Sequence, residues 1–238
     1  MQNQSLKIPE RSREGLDRAK IMQAFRGLTG GTRHAHAYLE KFSDIDVSTL
    51  QRLVAIRRSV RAEIHALMLD LDGTLAPAYG PIPAENLVAL DRLADNGTRL
   101  VIYSNAISTV NRQRLDELKA RGIPFFTESI AKPHPEGFRA VCRQYGLNHR
   151  TTWMVGDDPA TDGGALNIHP DGEPVLGGMI FIRPIPTIPG SVKGIKKITL
   201  GVKSMTRFFS LLATTLRNPH LITSNDIRSA KPKSFPIT

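Results

Sequence analysis

Only one cysteine, Cys142, occurs in the 238 residues, so no internal disulfide framework can form and a reducing compartment is the natural setting. No stretch approaches the ~18 uninterrupted apolar residues of a membrane-spanning helix. The opening residues, MQNQSLKIPERSRE, lack the apolar core of a secretory signal, so a cytoplasmic location is expected. No internal repeat is visible. Acidic residues are nearly missing from one end: from Arg183 onward ten basic residues face a single acid, Asp226. The net charge of +10 therefore divides into +9 for this tail and +1 for everything before it. Basicity belongs to an appendage and not to the core.

What is present is ordinary globular material. The hydrophobic fraction of 40% and the charged fraction of 23% exclude wholesale disorder, and the length suits one sizeable α/β core with extensions. Residues 1–45 are polar, with a helical candidate near 15–25 and a break at Gly30-Gly31, and are expected to be a partly disordered lead-in. Leu50, Leu53, Val54, Ile56 and Val60 recur at helical spacing with arginines between them, which predicts an amphipathic helix capped by Ser48. From Ile64 short apolar runs alternate with helical stretches. Strands are expected at 66–71, 99–104, 124–126, 152–155 and 178–182, and helices at 83–95, 108–120, 135–145 and just after Asp162. Such alternation predicts a three-layer, Rossmann-like parallel sheet covered on both faces, with ligands beyond the carboxyl ends of its strands. The catalytic domain is placed at 46–190. RPIPTIPG then reads as a stiff connector into a basic extension, 191–238, with one amphipathic helix at 202–216 and a disordered end.

The chemistry concentrates at predicted strand ends. In MLDLDGTL, residues 68–75, an apolar strand runs into two carboxylates one residue apart, followed by Gly73 and Thr74. Alternate side chains of a strand share a direction, so Asp70 and Asp72 could converge before the chain turns. Two such carboxylates are costly to bury without a cation, which points to Mg²⁺. Turn formation would explain Gly73 but not an acid within an apolar strand. VIYSNA, residues 101–106, ends a second apolar run in Ser104 and Asn105, which are donors for phosphate oxygens or else an ordinary turn. Lys132 precedes a predicted helix, where a cation and a helix amino terminus could face one anion or simply be solvated. TWMVGDDPATDGG, residues 152–164, is another apolar strand ending in Asp157, Asp158 and Asp162.

In this order, DLDGTL, YSNA, Lys132 and GDDPATD resemble the four motifs of the haloacid dehalogenase superfamily over roughly residues 64–182. The resemblance implies an aspartyl-phosphate mechanism, with Asp70 as nucleophile and Asp72 as general acid and base. It implies phosphate binding by Thr74, Ser104, Asn105 and Lys132, with Lys132 also neutralising the nucleophile. It implies an Mg²⁺ site made by Asp70, the backbone carbonyl of Asp72, and Asp157. Asp162 and Asp158 compete for the second acid of the fourth motif.

The 32 positions from Asp72 to Ser104 and the 28 from Ser104 to Lys132 leave no room for an inserted cap domain. Among capless members the sequence is most similar to the YqeG-like group, related to phosphatidylglycerophosphate phosphatases. It departs from that group at Gly73 and Ala106, where asparagines are usual, and in its long lead-in. An open site implies a bulky phosphorylated substrate, such as a phospholipid head group; a sugar phosphate or a nucleic-acid end are the alternatives. Val202, Met205, Phe208, Phe209, Leu212 and Leu216, flanked by Lys203, Arg207 and Arg217, could rest on anionic lipid, which would make the enzyme peripheral at the membrane, or could pack on the core. Nucleic acid ranks lower as a partner because the tail carries no recognition motif.

Overall fold

The computed structural model describes residues 35–78, 80–105, 112–126, 130–186 and 218–230. Among these residues six strands form one sheet: β1 (Ala37–Leu39), β2 (Ala66–Leu69), β3 (Arg99–Ile102), β4 (Thr152–Gly156), β5 (Gly178–Ile182) and β6 (Ile222–Thr223). Their order across the sheet is β3-β2-β4-β5-β1-β6, and every pairing is parallel. The helices are α1 (Val47–Arg58), α2 (Ala84–Asp95), α3 (Arg112–Ala120), α4 (Pro135–Gln144) and α5 (Ser224–Ala230).

The strands read as continuous apolar runs because both faces of the sheet are buried. Alternate residues serve opposite sides. Leu67, Leu69, Leu100, Ile102, Trp153, Val155, Ile180 and Ile182 face one cluster, closed by α1, α2 and Leu118 of α3. Met68, Val101, Tyr103, Met154, Met179 and Phe181 face the other, closed by Phe138, Ala140 and Val141 of α4. Three layers result, as the alternation predicts. With all strands parallel, their carboxyl ends share one edge. β2, carrying the acidic loop, lies between β3 and β4, so the ends of these three strands adjoin. Among the described residues, 72–104 holds α2 and β3 and 104–132 holds α3, with no inserted domain in either.

Several boundaries differ from the sequence reading. Ala37–Leu39 is a fully integrated strand inside the span expected to be a lead-in, with Leu39 paired to Ile182 and Ala37 to Ile222. Likewise β6 and α5 come from the basic extension and complete the same sheet edge, so the folded unit reaches beyond 46–190 on both sides. Hydrogen bonds tie this edge together. Arg57 donates to Leu221 O at 2.5 Å and also to Asp226, Arg52 Nη2 donates to Ala230 O at 2.7 Å, and Ser224 Oγ donates to Asp44 Oδ2 at 2.7 Å. The cap of α1 is Asp46 and not Ser48: its carboxylate accepts from Thr49 N at 2.9 Å, while Ser48 Oγ itself donates to Asp46 at 2.8 Å. Residues 124–126 supply only one bridge, Phe125 to Ile102. The helical candidates at 15–25 and 202–216 lie outside the described residues. No helix among those described is long and apolar enough to cross a membrane.

Candidate active site

Residues 70–76 leave β2 and fold into a tight loop. Asp70 N donates to Val155 O at 2.9 Å, which fixes the acid against β4. Gly73 N then donates to Ala76 O at 2.7 Å, and Leu75 N and Ala76 N both reach Leu71 O at 3.0 Å. Gly73 adopts φ +89°, a left-handed conformation that a side chain resists, and a Cβ there would stand 2.5 Å from Asp157 Oδ2. The backbone thus comes close to a carboxylate because this residue has no side chain. Two contacts from elsewhere hold the loop: Asn86 of α2 donates to Leu75 O at 2.8 Å, and Ile185 N donates to Gly73 O at 2.8 Å.

Around this loop the acids of β2 and β4 converge on Lys132. Its ammonium lies 2.8 Å from Asp70 Oδ1 and 2.5 Å from Asp162 Oδ1, and 5.6 Å above the Tyr103 ring. All three ionic groups are buried, at 1%, 7% and 0% exposure for Lys132, Asp70 and Asp162. Burial works against the charge on Lys132, but the two carboxylates outweigh it and raise its pKa, so the ammonium is held protonated. At Asp162, burial pushes the pKa well above the usual carboxylate range; Lys132 opposes that shift, and the neighbouring Asp70, Asp157 and Asp158 add to it.

Asp157 is fully buried at the end of β4 and accepts from Thr74 Oγ1 at 3.2 Å. Carboxylate oxygens of Asp70, Asp157 and Asp162 lie within 4.8 Å of one another. Three clustered carboxylates offering only oxygen donors suit a hard divalent cation such as Mg²⁺. The close approach of Asp157 to Gly73 builds one wall of that donor set. The residues present therefore fit a metal ion.

The other sequence-selected residues take distinct places. Asp162, not Asp158, reaches Lys132; it also accepts from Asp158 N at 3.0 Å, while the Asp158 carboxylate accepts from Ala160 N at 2.9 Å and shapes the turn. Gly156 allows this, since a Cβ there would collide with the Asp162 carboxylate. Asn105 has both ends of its amide on the Lys132 backbone, donating to Lys132 O at 2.9 Å and accepting from Lys132 N at 2.8 Å. Its neighbour Ser104 is buried at the end of β3. Asp72 accepts from Arg114 Nη1 at 2.6 Å.

Sequence reasoning passed over Arg114. A signal existed: Arg114 and Leu118 are four apart on α3 and both are buried, so an arginine stands in the inward stripe of an otherwise polar helix.

No curated protein matches the chain. Among solved structures it is similar to the cobalt-bound deoxy-D-mannose-octulosonate 8-phosphate phosphatase of Haemophilus influenzae, at 18% identity over 65% of this chain and 91% of that one, with a TM-score of 0.38. It is also similar to a hypothetical protein of Xanthomonas campestris, at 15% identity over 69% and 88% of the two chains, with a TM-score of 0.41. Residues 83–168, which carry Ser104, Lys132, Asp157 and Asp162, match the family model of haloacid dehalogenase-like hydrolases, the family that the ordered motifs resemble.

Proposed function

We propose that the protein is a magnesium-dependent phosphomonoester hydrolase working through an aspartyl-phosphate on Asp70. The observation that carries this reading is the position of Asp70: a buried carboxylate at a strand end, 2.8 Å from a buried ammonium and clustered with Asp157 and Asp162. Asp70 attacks phosphorus and displaces the leaving oxygen; water then attacks the same phosphorus and restores the carboxylate. Asp72 gives a proton to the leaving oxygen in the first step and takes one from water in the second. Lys132 offsets negative charge on nucleophile and phosphoryl oxygens, and Ser104 and Thr74 supply hydroxyls beside them. Asn105 serves by fixing the backbone of Lys132. A bound Mg²⁺, held by Asp70, Asp157 and the loop, would supply further charge neutralisation and orientation.

The substrate reading extends from the missing insertion. A site with no inserted cap domain among the described residues suits a phosphate on a bulky carrier, and we favour a phospholipid head group such as phosphatidylglycerophosphate, in the manner of the YqeG-like group. The basic extension would hold the enzyme at the cytoplasmic face of an anionic membrane.

The test is a phosphate-release screen with Mg²⁺ and with chelator, covering phosphatidylglycerophosphate, sugar phosphates and polynucleotide ends. Magnesium-dependent release that Asp70→Asn abolishes is expected. Full activity in Asp70→Asn would refute the mechanism, and strong turnover of one soluble compound alone would refute the lipid assignment.

A further inference from the structure

Arg114 is among the largest fully buried side chains of the protein, and the chemistry above gives it no part. A buried guanidinium must have every edge satisfied, and this one has three acceptors. Nη2 donates to Pro77 O at 2.8 Å and Nε donates to Gly80 O. These two carbonyls belong to one turn, closed by Gly80 N donating to Pro77 O at 2.9 Å, so they are fixed relative to each other. With two corners of the planar fork anchored on the turn, the direction of Nη1 is set, and it points at Asp72 Oδ1. The arginine side chain is 2% exposed and the Asp72 side chain 23%. One oxygen of Asp72 is therefore held by a buried guanidinium of fixed direction, while the Asp72 side chain itself stays partly exposed.

We infer that Arg114 is a positioning residue that holds the Asp72 carboxyl in the orientation needed for proton transfer; this rests on the phosphatase reading above. In the first step the bond from phosphorus to the leaving oxygen breaks as the bond to Asp70 forms, and the proton of Asp72 goes to the leaving oxygen. In the second, Asp72 takes a proton from the attacking water, the new phosphorus–oxygen bond forms, and the bond to Asp70 breaks to release inorganic phosphate. Arg114 touches neither substrate nor phosphorus and acts only through Asp72.

Two substrates separate this from a merely structural role. An alkoxide leaving group needs the proton from Asp72, whereas nitrophenolate leaves without one. With the full chain and Mg²⁺, Arg114→Lys is expected to lower kcat for an alkyl phosphate by on the order of 10²-fold with KM little changed, the lower range of what a positioned acid–base group supplies. On nitrophenyl phosphate the same variant is expected to release a rapid burst of nitrophenolate, about one per enzyme, followed by slow turnover as the aspartyl-phosphate waits for water activation. Asp72→Glu keeps a carboxyl but shifts it against the fixed guanidinium, and should give the same pattern even where Arg114→Lys folds poorly. Equal proportional losses on both substrates without a burst, or wild-type rates on both, would overturn the proposal. Wild-type protein with no magnesium-dependent release of phosphate from these two substrates or from any compound of the screen above would overturn the phosphatase reading itself, and this inference with it.

Discussion

Replacing Lys132 by Met removes an ammonium that faces two buried carboxylates and leaves a side chain of similar length. At 2.8 and 2.5 Å each contact is worth about 6 kcal/mol of gross attraction at an effective dielectric of ~20. Most of that offsets the desolvation of the charges, and breaking a buried pair by removing one partner costs a net ~3–5 kcal/mol. At ~2–4 °C per kcal/mol for a domain of this size, the Tm should fall by on the order of 10 °C in chelator. The pH response fixes the cause. Asp162 already has a carboxyl raised by burial and by its acidic neighbours, with Lys132 pulling the other way. Without Lys132 its folded pKa rises further above the unfolded value. A raised folded carboxyl contributes stability present at low pH and lost as pH rises through that folded value. The deficit of Lys132→Met should therefore be largest near neutral and alkaline pH and should shrink on acidification toward the unfolded carboxyl range. Added Mg²⁺ should raise the Tm of the variant more than that of the wild type, because it supplies the missing positive charge. The assay is thermal unfolding across pH with and without the cation. A Tm within a few degrees of wild type, independent of pH, would refute the view that Lys132 balances these acids.

Other positions give sharper, narrower tests. Gly73→Ala places a methyl 2.5 Å from Asp157 Oδ2 in a left-handed conformation, and is expected to weaken the magnesium response of unfolding and turnover together, read by titrating Mg²⁺ against both. Asn105→Leu removes two hydrogen bonds to the Lys132 backbone; it should cost ~1–3 kcal/mol in chemical denaturation and lower kcat more than it raises KM. Asp46→Ala deletes the cap of α1 and should cost ~1 kcal/mol in denaturant with kcat unchanged, since the site lies elsewhere.

How far the sequence carries depends on how each element earns its place. β2, β4 and β5 are buried on both faces, so they appear in the sequence as apolar runs with acids or turns beyond them. α2 and α4 show as helices because their inward residues recur at helical spacing. β1 and β6, by contrast, are three and two residues long, AYL and IT. At that length no periodicity exists, and what makes them strands is pairing with partners far along the chain. The site divides in the same way. Asp70, Asp157 and Asp162 announce themselves as acids at the ends of apolar strands. The different placements of Asp158 and Asp162 depend on backbone geometry that the letters do not show: Gly156 leaves the space that Asp162 fills beside Lys132. Asn105 is legible as a candidate phosphate donor, whereas its two hydrogen bonds to the Lys132 backbone join residues 27 apart and are not. Arg114 was hidden because its partners, Asp72 and the turn at 77–80, lie more than thirty residues earlier.

The inner position of β1 has a consequence for synthesis. Of the described strands this one emerges first, yet its partners are Ile180 and Ile222, well over a hundred residues later. A chain growing from the ribosome must keep an unpaired strand waiting while β2, β3 and β4 assemble the acidic loop and its lysine. Closure comes only when residues 218–230 arrive and Arg57 finds Asp226. Pairings this distant are slow to form and leave a strand edge open meanwhile. The catalytic loop can thus be shaped on a nascent chain before the far side of its sheet is sealed, and a chain halted ahead of Ile222 would present β1 as an edge able to take a strand from another molecule.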